Sequence, residues 1–212
     1  MKKMNLPNRL TVLRMCLVPV ILLVGMLTPK NNGSLWFYVS CVVCAVVFIG
    51  ASVTDMLDGK IARRDGLVTD FGKFLDPIAD KFMVIGALFV ILHKFDNLRL
   101  IMIWTLIIVV FRELAVTAIR MVVAGDNIVV AANNLGKIKT VTQIVAISTI
   151  FLEPVVQVAV RLIAEAIVGE KLLWRTDIIP LSWITVALSL VMTVWSGVNY
   201  LKSYWKYLDP EK

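Results

Sequence analysis

The chain has 212 residues, 59% of them apolar, with a net charge of +7 and a mean hydropathy of +0.84. Soluble domains average about half apolar residues, so this chain has more apolar surface than one small soluble core can hide, and most of it must face lipid. The basic balance does not point to nucleic acid, because the Lys and Arg residues border apolar runs, where anionic headgroups or phosphorylated substrates are the nearer partners.

Apolar runs cover residues 10–27, 35–53, 82–92, 98–111, 141–152 and 181–200. About 20 residues span a bilayer, so the shorter runs must extend through polar flanks, and the expected fold is all-α and polytopic with six transmembrane helices. Lys2, Lys3 and Arg9 precede the first run and Arg14 lies near its start, a signal-like layout. Met26-Leu27-Thr28-Pro29 is not a small-x-small cleavage site and more spans follow, so the run is expected to stay as the first helix. Asn8, Thr11 and Arg14 share a helical spacing at the membrane entry. Proximity to the nucleotide or headgroup and plain capping by Asn8 with snorkelling by Arg14 explain them equally well, and no catalytic role is assigned.

The second run holds Cys41 and Cys44, whose apolar setting marks them as small buried hydrophobes rather than a redox pair. It closes on Ser52-Val53-Thr54-Asp55-Met56-Leu57-Asp58-Gly59-Lys60-Ile61-Ala62-Arg63-Arg64. On a helix Asp55 and Asp58 lie about 60° apart, on one face. The third helix is expected to begin near Asp70, and in it Asp76 and Asp80 lie about 40° apart. Asp76 could also cap a helix starting at Pro77. A short connection makes these helices antiparallel neighbours, so four carboxylates converge at one depth. Ionisable groups against membrane helices need a partner or a task. Four carboxylates repel unless cations sit among them, and hard oxygen ligands suit Mg²⁺ or Mn²⁺. Two divalent cations are the natural complement, and such ions polarise phosphate oxygens. Gly59 and Gly72 permit close backbone approach, and Arg63 offers a planar donor fork for phosphate. His93 stands alone at the end of this helix.

Arg112 lies within the apolar fourth helix and Arg120 two turns on, and Lys137 and Lys139 open the fifth helix. Arg112 and Arg120 lie about 80° apart, close enough to line one cavity. Such a clamp suits a phosphorylated alcohol, although an ion pair with Glu113 would also account for Arg112. Pro154 is expected to interrupt the fifth helix, and residues 153–180, with Arg161 and Glu165 one turn apart, read as an extension or an outer amphipathic segment. With the N-terminus inside, the inner segments hold fifteen Lys and Arg residues and the outer ones six. Cytoplasmic loops carry the excess, so both termini are expected in the cytoplasm. No internal repeat or soluble domain interrupts the chain, and residues 1–212 read as a single membrane domain.

Asp55, Asp58, Gly59, Ala62, Arg63, Gly72, Asp76 and Asp80 meet every spacing of the pattern Asp-x-x-Asp-Gly-x-x-Ala-Arg, eight residues, Gly-x-x-x-Asp-x-x-x-Asp. The chain therefore resembles the CDP-alcohol phosphotransferase family. Asn5-Leu6-Pro7-Asn8-Arg9-Leu10-Thr11-Val12-Leu13-Arg14, Phe111-Arg112-Glu113-Leu114 and Gly136-Lys137-Ile138-Lys139-Thr140-Val141-Thr142-Gln143 extend the likeness to its bacterial members that use glycerol 3-phosphate. The resemblance implies a six-helix homodimer in the bacterial cell membrane, with a polar cavity open to cytoplasm and lipid. It implies that Asp55, Asp58, Asp76 and Asp80 hold two metals, that Gly59, Arg63 and Gly72 contact the CDP moiety, and that Asp80 is the general base. The expected substrates are CDP-diacylglycerol and sn-glycerol 3-phosphate. The rivals are the same chemistry on another acceptor, such as phosphatidylglycerol in a cardiolipin synthase or an inositol phosphate, and a divalent-metal transporter using the same carboxylates.

Overall fold

The structure is a computed structural model, and it describes residues 5–30, 34–64, 69–125, 134–169 and 180–207. These residues form six long helices: α1 (Leu6–Leu27), α2 (Leu35–Arg64), α3 (Asp70–Lys94), α4 (Arg99–Gly125), α5 (Asn134–Val168) and α6 (Pro180–Tyr204). Single 3-10 turns cover Asp96–Leu98 and Trp205–Tyr207, and no strand occurs among the described residues. Five segments, Leu6–Leu27, Leu35–Leu57, Asp96–Val123, Asn134–Val168 and Pro180–Tyr207, are long and apolar enough to cross a bilayer. The helix outside that set is α3, whose first half carries Asp70, Lys73, Asp76, Asp80 and Lys81. Its 25 residues are nonetheless about 37 Å long. It packs chiefly against α1 and α4.

The first helix is capped by Asn5, whose Oδ1 accepts the Asn8 amide N–H at 3.2 Å. Asn8 is therefore not the cap. Its buried side-chain amide instead donates to Thr69 Oγ1 at 2.9 Å. Thr69 in turn caps α3 by accepting the Gly72 N–H at 3.1 Å. That start leaves Asp76 inside α3 with Pro77 beside it, so Asp76 has no capping role and its carboxylate is available for other work. Pro154 does not end α5, which runs through it. The neighbouring Glu153 is fixed by α6, its carboxylate accepting the backbone N–H groups of Leu181 at 3.0 Å and Ser182 at 2.7 Å. Those are orphan donors of a helix N-terminus, and a carboxylate there satisfies them. Tertiary contacts outweigh the local cost of the proline. The extension reading of the region holds as far as Val168, with Arg161 paired to Glu165 at 2.9 Å. Residues 170–179 lie outside the described residues.

The two ends of the bundle differ. At one end Phe37, Phe48, Ile91, Phe95, Leu98, Met102 and Phe151 form a buried core, with Phe37 against Phe95 and Phe95 against Phe151 edge-on. Lys94 is buried there too. Its Nζ donates to Thr28 Oγ1 at 2.8 Å and to the Pro29 carbonyl at 3.2 Å, and it lies 4.8 Å from the Phe37 ring centre. These contacts give an otherwise costly buried ammonium its partners. Around the outside the pattern reverses: Trp36, Leu100, Phe111, Met121, Ile167 and Ile184 are exposed. An apolar exterior of this extent suits a hydrocarbon solvent.

Glycine sets how closely α1 and α3 approach. A Cβ at Gly25 would lie 2.2 Å from Val90 Cγ1, and one at Gly86 would lie 2.6 Å from Val18 Cγ1. Small residues of this kind let membrane helices pack backbone to backbone. Gly25→Ala is expected to destabilise the fold by about 1 to 3 kcal/mol through overpacking. Adding Val90→Ala to the same chain should recover most of the loss, read as the melting temperature in detergent.

Candidate active site

At the other end, where α1, α3 and α5 begin and α2, α4 and α6 finish, all six helices line one cavity of about 570 Å³. It brings together Asp55, Asp76 and Asp80 with Arg112, Arg120, Lys137 and Lys139. These residues come from four helices and are separated by up to 84 positions. The backbone of α2 continues through Asp58, Gly59 and Arg63, whose side chains lie outside the described part. Gly72 is buried and does not line the cavity. A Cβ there would lie 2.9 Å from Asn8 Oδ1, so its lack of a side chain lets α1 close on the start of α3.

The wall made by α2 and α3 is acidic, and α1 supplies donors to its carboxylates. Arg14 is 3% exposed and pairs with Asp55 and, at 3.1 Å, with Asp80. Thr11, also buried, donates to Asp76 Oδ1 at 2.7 Å. Arg14 is thus an internal counter-ion to the carboxylates, not a side chain reaching for the membrane surface. The carboxylates themselves open to the cavity, with side-chain exposures of 38% for Asp55 and 53% for Asp80. Hard, anionic oxygens facing a cavity fit Mg²⁺ or Mn²⁺ better than softer metals. Among the described residues no three His, Cys, Asp or Glu side chains make a ready-formed ion cage; the side chain of Asp58, the fourth carboxylate of the expected set, is outside the described part.

The opposite wall, from α4, α5 and α6, is basic. Glu113 Oε1 accepts from Arg112 Nη1 at 3.0 Å and from Lys139 Nζ at 2.5 Å, binding α4 to α5. Arg112 Nη2 also donates to Ser196 Oγ at 2.7 Å, and its stem runs past Gly197, where a Cβ would lie 3.1 Å from Arg112 Cγ. Arg120 Nε donates to the Tyr200 hydroxyl at 3.1 Å, with the guanidinium 5.7 Å from that ring. Lys81 Nζ reaches Thr117 Oγ1 at 2.5 Å. The ion pair of Arg112 with Glu113, one of the two readings its sequence position allows, is present, and Arg112 lines the cavity as well. Arg112, Arg120, Lys137 and Lys139 against the one carboxylate of Glu113 leave this wall positive. Among the described residues, buried Gln143 Nε2 and Arg112 Nε, on cavity-lining residues, lack a hydrogen-bond partner, and a buried donor in that condition favours an acceptor. Gln143 closes the Gly136–Gln143 stretch that carries the family likeness and lies one helical turn after Lys139, but it was not singled out as a site residue.

An acidic wall suited to cations facing a basic wall suited to anions is an arrangement for phosphoryl chemistry. The sequence profile of the CDP-alcohol phosphatidyltransferase family matches residues 4–195, and the chain belongs to that family. It is similar to the CDP-diacylglycerol–glycerol-3-phosphate 3-phosphatidyltransferase of Bacillus subtilis strain 168, with 39% identity over 209 residues that cover 96% of this chain and 97% of the relative. Proteins of the same name from Rickettsia felis and Yersinia enterocolitica are 35% and 31% identical, covering 96% and 97% of this chain and 97% and 98% of their own lengths.

Proposed function

We propose that the protein transfers the phosphatidyl group of CDP-diacylglycerol to sn-glycerol 3-phosphate, giving phosphatidylglycerophosphate and CMP in anionic phospholipid synthesis. The observation that carries this reading is the single cavity with Asp55, Asp76 and Asp80 on one wall and Arg112, Arg120, Lys137 and Lys139 on the other. The near full-length similarity to relatives bearing that activity in their name supports it.

Asp55, Asp58, Asp76 and Asp80 would hold two divalent cations, Mg²⁺ or Mn²⁺, which when bound neutralise the diphosphate and make CMP a better leaving group. Gly59 and Arg63 serve the CDP moiety, and Gly72 serves it indirectly by letting α1 close on α3. Arg112, Arg120, Lys137 and Lys139 hold the acceptor's phosphate and so present its C1 hydroxyl to the acidic wall. Asp80 takes the hydroxyl proton as that oxygen attacks the lipid-side phosphorus. The new P–O bond forms in line as the bond to CMP breaks, and CMP departs with that electron pair. A carboxylate among cations is a weak base, so its contribution is largely positional.

The same reading treats residues 1–212 as one membrane domain. It makes α3 a sixth span, whose polar half faces the cavity instead of lipid, and places both termini and the cavity mouth on the cytoplasmic side of a bacterial cell membrane. It includes assembly as a homodimer. Purified protein in mixed micelles with CDP-diacylglycerol, Mg²⁺ and competing alcohols tests the assignment. CMP release should follow glycerol 3-phosphate in preference to phosphatidylglycerol or an inositol phosphate. Preference for either of the others would reassign the acceptor, and cation flux in liposomes without CMP release would make the protein a transporter.

A further inference from the structure

The signature of the acidic wall lies wholly in α2 and α3, yet the groups that hold its carboxylates come from α1. Thr11 and Arg14 are three residues apart, on one face of that helix. Both are almost fully buried, with exposures of 2% and 3%. Arg14 Nη1 reaches Oδ1 of Asp55 and Oδ1 of Asp80. The Thr11 hydroxyl has one proton and two acceptors within reach, Asp76 Oδ1 at 2.7 Å and the Pro7 carbonyl at 3.1 Å. The shorter contact takes the proton. Each of these bonds ties a carboxylate to a donor that is itself almost fully buried, and all three carboxylates line the cavity.

We infer that Thr11 and Arg14 are positioning residues for the cation site: α1 is a rank of buried donors that fixes the orientation of Asp55, Asp76 and Asp80, with one oxygen of each turned away and the other presented to a divalent ion. Given those aspartates as the ligands proposed above, α1 does for them what outer hydrogen-bond partners do for metal ligands generally, where loss of the partner costs about ten- to a hundredfold in affinity. The contrasting role for Arg14 is that of a competitor, a built-in cation that a metal must expel. Its depth of burial argues against this, because an expelled guanidinium would leave a charge inside the bundle without its carboxylates.

The two roles predict opposite signs, and Mn²⁺ reads them directly. Binding of Mn²⁺ to the purified full-length protein, followed by the loss of the free-ion paramagnetic signal, is compared among wild type, Arg14→Gln, Thr11→Val and Thr11→Ser, with no lipid substrate present. Arg14→Gln and Thr11→Val should each weaken Mn²⁺ binding about ten- to a hundredfold, and Thr11→Ser, which keeps the hydroxyl, should stay close to wild type. Tighter binding by Arg14→Gln would overturn the inference in favour of competition, and unchanged binding by Thr11→Val would overturn it outright. If Arg14→Gln does not fold, the Thr11 pair decides alone, since exchanging a hydroxyl for a methyl leaves the rest of α1 in place. Asp76→Asn separates this test from the ligand assignment: wild-type Mn²⁺ affinity in that variant removes Asp76 from the ligands, whatever the α1 variants do.

Discussion

Asp80→Asn is expected to lower CMP release by about 10²- to 10⁴-fold, the range over which a positioned proton acceptor contributes to rate, while the protein remains folded in detergent. Asn matches the shape of Asp but cannot take a proton from the attacking hydroxyl, and it is a poorer cation ligand. Asp55→Asn and Asp76→Asn should be at least as damaging if both hold the metal. Their side effects differ. Asp55→Asn also takes an anionic partner from buried Arg14, so it should lower the melting temperature as well as activity. Asp76 meets only the neutral Thr11 hydroxyl on its α1 side, and Asn can still accept that bond, so Asp76→Asn is the cleaner probe of chemistry. Near-normal turnover by any of the three at saturating Mg²⁺ would remove that residue from the site.

The second large effect belongs to the basic wall. Arg112→Ala should reduce kcat/KM for glycerol 3-phosphate about ten- to a hundredfold, the worth of one charge-assisted hydrogen bond, and leave the KM for CDP-diacylglycerol nearly unchanged. Arg112 is also tied to Glu113 and Ser196, so a structural contribution has to be separated. Ser196→Ala removes one of those ties and keeps the cation, so it should cost far less. Lys139 shares Glu113 with Arg112, and with Arg112 gone Lys139 becomes the sole cation on that carboxylate, drawn back from the substrate. Arg112→Ala and Lys139→Ala should therefore be non-additive when combined. Equal loss for both substrates together with a lowered melting temperature would make Arg112 a structural residue. Unchanged kinetics would put the acceptor's phosphate elsewhere.

Much of the site was legible because its chemistry is written locally. Asp55, Asp76 and Asp80 stand at spacings that fix helix faces, and such a density of charge against apolar helices has few structural uses. The cations of α4 and α5 were legible for the same reason. Arg14 was not. Near the start of an apolar run it has the same local sequence as a snorkelling residue, and its role depends on partners 41 and 66 residues away. Asn8 and Thr69 share this property, since their pairing spans 61 residues, although the start of α3 at Asp70 was itself legible. Pro154 was misleading in the opposite direction: a helix-breaking residue is tolerated where the adjacent Glu153 is held by the N-terminus of α6. The apolar run 82–92 was legible as part of a helix, but α3 as a whole falls outside the five segments apolar enough to cross a bilayer, because its first half carries Asp70, Lys73, Asp76, Asp80 and Lys81.

The far end of the bundle has a consequence for traffic. Phe37, Phe95 and Phe151, with the ammonium of Lys94 tied down among them, stopper the inter-helix space opposite the cavity. A chamber stoppered in this way is a cul-de-sac. Among the described residues that core closes the way through the bundle, so a water-soluble alcohol would enter, and CMP leave, at the end where the carboxylates stand. An ion gradient across the bilayer finds no conduit through that core among the described residues.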